Sequence, residues 1–215
     1  LMVWGMRVGV EFAELFEDRQ LSNDCKAAEK KLVKAASKVY KKFLASCPAP
    51  DAPGSKQVTA LMTITGLIDA PKADKEFLSI NGAQGFSTFY GYYMLEAMAT
   101  AGNYQGALDV IREYWGAMID LGATSFWEDF DINWIPNAAP IDELVPEGKK
   151  DIHGDCGAYC YVGFRHSLCH GWASGPTSWL SRHILGVEVI EPGCRQVRIT
   201  PHLGDLQWVK GTFPT

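Results

Sequence analysis

Two stretches in the middle of the chain follow one another without a linker: FSTFYGYYMLEAMATAG, residues 86–102, and NYQGALDVIREYWGAMIDLG, residues 103–122. In the first, Phe89, Tyr93, Leu95, Met98 and Ala99 recur at the spacing of one helix face, with Ser87 as a predicted N-cap and Gly102 as a stop. In the second, Asn103 caps the start, Leu108, Ile111, Trp115, Met118 and Ile119 form the apolar stripe, and Gly122 ends it. Two helices joined this tightly must fold back on each other, so the pattern predicts an αα-hairpin. A second pair precedes it. Residues 2–18 place Val8, Phe12 and Leu15 on one face, a turn is predicted at Ser22-Asn23-Asp24, and a lysine-rich helix follows to Ser46.

Seven lysines lie between Lys26 and Lys42, against Asp24 and Glu29. Because Ala28, Leu32, Ala35, Val39 and Phe43 recur at helical spacing, the lysines read as the wet side of an amphipathic helix rather than a membrane-surface patch. The loop CPAPDAPGS, residues 47–55, ends that helix, and an apolar stretch from Gln57 to Asp69 begins the next. A further helix opens near Pro176 and closes at Gly186. From Val187 the period changes to alternation, and VEVI, RQVRIT and LQWVKGTF predict the start of an antiparallel sheet. The expected architecture is mainly α, with residues 1–186 helical and residues 187–215 opening a β-domain. LMVWGMRVGVEF reads as the inside of a buried helix and a lone hairpin is marginal in water, so both ends are expected to continue in something larger.

A net charge of -5 supplies no basic face, so no nucleic-acid partner is expected. No apolar run reaches the roughly 18–20 residues of a membrane span, and no signal-peptide pattern opens the chain. Neither a membrane partner nor a compartment is indicated, with a periplasmic or extracellular location favoured over a cytoplasmic one. The six cysteines are irregularly spaced. Cys156-x-x-x-Cys160, with His153, Cys169 and His170 nearby, fits one face of a helix better than a structural zinc site. No calcium loop and no phosphate-binding glycine loop occurs, so no metal or cofactor is expected.

The segment from Gly122 to Asp155 is long, and its Phe126, Trp127, Phe130 and Trp134 are too aromatic for disorder, which predicts a functional loop. Glu128 stands among these rings, either as a general base or acid or as a solvated helix-start carboxylate. His170 is either a satisfied core histidine or a group that donates to a ligand hydroxyl. Asp129, Asp131 and Asp155 read as cap or turn residues, and Ser174 and Ser178 have no partners for nucleophilic catalysis. Successive αα-hairpins with polar, aromatic loops at one end suit a helical toroid whose cavity binds sugars through carboxylates, imidazoles and rings.

GATSFWEDF, then SLCHGWASGP, then EPG, then ITPHLGDLQWVKGTFPT, in that order, resembles the C-terminal half of the α-L-rhamnosidases of glycoside hydrolase family 78. The resemblance runs from about Phe86 to Thr215 and is only general before Gln84. It implies a six-hairpin α/α toroid followed by a C-terminal β-sandwich, with a rhamnose-containing oligosaccharide, polysaccharide or glycoside as substrate. By the same resemblance Glu128 is the general base, His170 contacts the sugar at the cleaved bond, and Trp127 and Trp172 help shape that subsite. Such enzymes invert configuration, with two carboxyls about 6.5–9.5 Å apart. The resemblance also implies a general acid in an Arg-Glu-Arg stretch, which this sequence lacks, so these 215 residues alone are expected to be inactive, and unstable because toroid hairpins that would cover their apolar faces are missing. A six-hairpin glycosidase of different sugar specificity and a non-catalytic sugar-binding or scaffolding protein are the alternatives. The excursion INWIPNAAPIDELVPEGKKDIHGD is expected to shape the leaving-group side of the site.

Overall fold

The computed structural model describes residues 1–46, 49, 50, 52, 54–157 and 166–215. Cys160 falls outside them, so the helix face expected at Cys156-x-x-x-Cys160 lies outside the described residues. The fold is mainly α. The helices are α1 (Met2–Leu15), α2 (Arg19–Ser46), α3 (Ser55–Ile64), α4 (Ala70–Ala73), α5 (Gly91–Thr100), α6 (Tyr104–Asp120) and α7 (Gly175–Trp179). Helices α4 and α7 each continue into a π-helical turn, Asp74–Leu78 and Leu180–Ile184. Strands β1 (Ala138–Ala139) and β2 (Lys150–Asp151) form a short parallel bridge, and β3 (Val187–Glu191) pairs antiparallel with β4 (Gln196–Ile199).

Helices α1 and α2 pack as the predicted hairpin, but through a different face. The turn falls at Phe16–Asp18, six residues before the predicted one, where the Asp18 carboxylate accepts from the Leu21 N–H at 2.9 Å. Close approach selects small residues: a Cβ on Gly9 would lie 3.0 Å from Cys25 Sγ, and Ala13 and Ser22 are buried beside it. The bulky Val8, Phe12 and Leu15, expected inside, therefore point away and are exposed. On α2 the buried positions among the described side chains are Ser22, Cys25 and Tyr40, while Ala35 and Val39 are exposed. All seven lysines of this stretch are on the wet side, as read from the sequence.

The core forms where α5, α6 and α7 meet. Met94, Leu95 and Met98 face Leu108, Tyr114, Trp115 and Met118, with Trp179 and Ile184 closing the layer. Full burial of such side chains contributes roughly 1.5–3 kcal/mol each. Indole N–H groups tie the layer together: Trp179 Nε1 donates to the Leu95 carbonyl at 3.0 Å and Trp115 Nε1 to the Ala173 carbonyl at 2.9 Å. Asn103 caps α6 by accepting from the Gly106 N–H at 2.9 Å. Ser87 does not cap α5, which begins at Gly91; its hydroxyl is buried without a hydrogen-bond partner among the described residues. Ile119 and Phe89, expected on buried faces, are 69% and 40% exposed.

The third predicted strand does not form. In LQWVKGTF the half-buried positions are Leu206 and Val209, three apart and continuing from Leu203, so the segment lies against the helices instead of pairing at period two. Arg112 and Asp205 hold it there at 2.8 Å, and the guanidinium keeps the Asp205 carboxyl below its usual range. That contribution is present at neutral pH and is lost as pH falls through the lowered value.

Gly186 joins the helical layer to the β-hairpin. Its φ is +78°, and a Cβ there would overlap the Thr200 carbonyl, whose own N–H donates to the Gly186 carbonyl at 2.8 Å. Gly186→Ala is expected to destabilise this junction by more than about 1 kcal/mol. Faster amide hydrogen exchange at Thr200, with α5 and α6 unchanged, is the expected result; unchanged protection at Thr200 contradicts it.

Candidate functional site

Two extended segments carry the site. Residues 126–128 and 167–170 run antiparallel: the His170 N–H donates to the Phe126 carbonyl at 2.7 Å, and the Glu128 N–H to the Ser167 carbonyl at 2.8 Å. In extended backbone successive side chains point to opposite sides. Trp127 thus turns inward and is fully buried against Phe130, with ring centroids 5.9 Å apart, while Glu128 turns outward. The Tyr114 hydroxyl donates to the Phe130 carbonyl and anchors the segment to α6; burial holds this phenol well above its usual pKa.

Glu128 is held at both ends. Its backbone carbonyl accepts from Thr88 Oγ1 at 2.6 Å and from Trp172 Nε1 at 2.7 Å. Its carboxylate Oε2 accepts from the Ser167 N–H at 2.7 Å, and Oε1 lies 3.7 Å from His170 Nδ1. The Glu128 and His170 side chains are 18% and 32% exposed. The Trp172 ring packs 4.1 Å from the His170 ring, centroid to centroid, and 5.8 Å from Phe89. Glu128, His170 and Trp172 are therefore brought together, whereas Trp127 supports them from the core side and has no surface with which to touch a ligand.

Beyond Trp172 the surface opens into a groove of about 420 Å³ lined by Phe89, Tyr92, Tyr93 and Trp172 and by Ser174, Gly175, Thr177, Ser178 and Ser181. The pairing of rings with hydroxyls suits a molecule with alternating apolar and hydroxylated faces. A half-buried carboxylate fixed by a backbone N–H and faced by an imidazole can take a proton from water or accept from a ligand hydroxyl.

Other candidates are structural. Asp131 caps the 3₁₀ turn Ile132–Asn137 by accepting from the Asn133 N–H at 2.9 Å, and the Asp155 carboxylate accepts from the Asp151 N–H at 2.9 Å. Asp129 accepts from the Phe130 N–H at 3.0 Å. Ser174 and Ser178 donate to the carbonyls of Gly171 and Gly175. The excursion after Ile132 is ordered by the β1–β2 bridge and by the Ile141 N–H donating to the Leu121 carbonyl at 2.9 Å, with Ala138, Ala139 and Ile152 buried and Leu144 at an exposed tip. Among the described residues no group of three or more His, Cys, Asp or Glu side chains is arranged to hold a metal, and no helix is long and apolar enough to cross a membrane.

Two polar groups went unread in the sequence. Lys56 is buried, donates from Nζ to the Gly82 carbonyl at 2.6 Å and lies 5.1 Å from the centre of the Phe86 ring. Its signal is positional: Lys56, Thr59, Ala60 and Thr63 fall on one helical stripe, all buried. Glu96 meets His183 at 2.9 Å and Arg182 at 3.6 Å, a pairing between distant helices that no local spacing announces. Neither a protein-family model nor a curated protein sequence matches the chain.

Proposed function

We propose that the chain belongs to an inverting glycoside hydrolase acting on terminal α-L-rhamnosides, with Glu128 as the general base. The observation that carries the reading is the meeting of Glu128 and His170, Oε1 to Nδ1 at 3.7 Å, from the two motifs that the rhamnosidase resemblance pairs in one subsite. In this reading a water sits against Glu128 Oε1 and loses its proton to the carboxylate as its oxygen attacks the anomeric carbon; the leaving group departs on the far side, taking its proton from the general acid that the resemblance implies and these 215 residues do not supply. His170 binds a sugar hydroxyl, and the Trp172 ring covers an apolar C–H face. The α1–α2 and α5–α6 hairpins are then part of an α/α toroid, and β3–β4 begins a sandwich.

The sequence has no Arg-Glu-Arg stretch, which favours a second reading in which the pocket binds sugar without cleaving it. Hydrolysis assays with the complete protein on aryl α-L-rhamnoside, beside aryl glucoside, galactoside and xyloside, separate the possibilities. Cleavage of the rhamnoside alone is expected. Cleavage of another sugar moves the specificity within the same fold, and binding of rhamnose without turnover selects the second reading.

A further inference from the structure

A second polar cleft lies where the β-hairpin meets the helical layer, and it shares no residue with the Glu128 site. Past Gly186 the chain makes β3 and β4 and returns, so that the His202 N–H donates to the His183 carbonyl at 3.1 Å. The return brings Arg198 and His202 beside Arg182, His183 and Tyr104, around an opening of about 290 Å³ in which Glu188 is the one carboxylate among the described lining residues. Two guanidinium groups and two imidazoles thus meet there, with Glu188 in the lining and Glu96 behind Arg182 and His183 as their carboxylate partners.

The cations are positioned but not saturated by their partners. Arg198 reaches Glu188 through Nη1 at 3.2 Å, and Arg182 reaches Glu96 through Nη1 at 3.6 Å. Each guanidinium carries five N–H donors, so neither pair uses them all, and the half-exposed Arg198–Glu188 pair is weak enough for a competing anion to displace. His183 is oriented by Glu96 at 2.9 Å, and the His202 ring lies flat on Tyr104, with centroids 3.8 Å apart and planes 5° apart. The imidazole edge of His202 is consequently held in place before any ligand arrives, which lowers the ordering cost of binding. An opening of this size is large enough for one small group.

We propose that this cleft binds a small oxyanion, a phosphate or a carboxylate group, gripped by Arg182 and Arg198 and contacted by His183 and His202. Planar guanidinium forks match the oxygen spacing of both groups, and charge-assisted hydrogen bonds to an oxyanion exceed those to neutral acceptors. Because the oxyanion would bridge α7 and the β-hairpin, its binding also fastens the hairpin to the helices.

The test titrates inorganic phosphate, and separately acetate, into the complete protein at fixed pH and ionic strength, following the histidine side-chain NMR signals. A saturable shift of His183 and His202, with a dissociation constant in the range of about millimolar, is expected for at least one of the two. Arg198→Gln, on an exposed side chain, and Arg182→Gln should each weaken it about tenfold while the unliganded melting temperature stays near that of the native protein. Saturation by phosphate alone or by acetate alone identifies the group. No saturable shift with either probe, or a shift that both variants leave unchanged, overturns the proposal.

Discussion

Glu128→Gln is expected to lower hydrolysis of an aryl α-L-rhamnoside by the complete protein about 100- to 10,000-fold while leaving the fold and rhamnose binding in place. The substitution is conservative at this position. A glutamine carbonyl oxygen can still accept the Ser167 N–H that Oε2 now takes at 2.7 Å, and the backbone carbonyl keeps its bonds from Thr88 and Trp172. What disappears is the basic carboxylate facing His170. The loss should therefore appear in kcat, with KM nearly unchanged, as for an interaction made in the transition state. A rise in KM with kcat unchanged would make Glu128 a binding group instead of a base.

The neighbouring residue should behave in the opposite way. Trp127→Ala empties a fully buried site against Phe130 and is expected to cost about 3–5 kcal/mol of stability, read as a lowered denaturation midpoint. The indole N–H is buried with no hydrogen-bond partner among the described residues, so it carries a desolvation cost without a compensating bond. Trp127→Phe removes that donor along with some volume, and should cost less than half as much as Trp127→Ala. If alanine proves nearly neutral, Trp127 is not the buried support described above. Two adjacent residues then separate cleanly, one governing turnover and the other stability.

That contrast marks where sequence reading reached and where it stopped. The stop at Gly102, the cap at Asn103 and the ends at Gly122 and Gly186 were legible because each depends on local chemistry: a glycine with positive φ, or an amide side chain folded onto a free N–H. The face of α1 was not. Large apolar residues at helical spacing suggest a buried stripe, yet the hairpin packs through Gly9 and Ala13 because two backbones approach most closely over small side chains. At the site, the proximity of aromatic residues to Glu128 was visible, but not its division between core and surface. Trp127 and Glu128 separate because the segment is extended, and its extension depends on pairing with residues 167–170, a contact that no local pattern encodes. The period-three burial of Leu203, Leu206 and Val209 likewise follows from the helices beneath them, whereas LQWVKGTF, residues 206–213, taken alone reads as a strand.

The most direct test of the account is to incubate the complete protein with an aryl α-L-rhamnoside and record the anomeric proton of the first rhamnose released. Release of the β-anomer, lost in Glu128→Gln, is the result predicted for a carboxylate that activates water from the face opposite the leaving group. Release of the α-anomer, or no cleavage of the rhamnoside by the native protein, contradicts it.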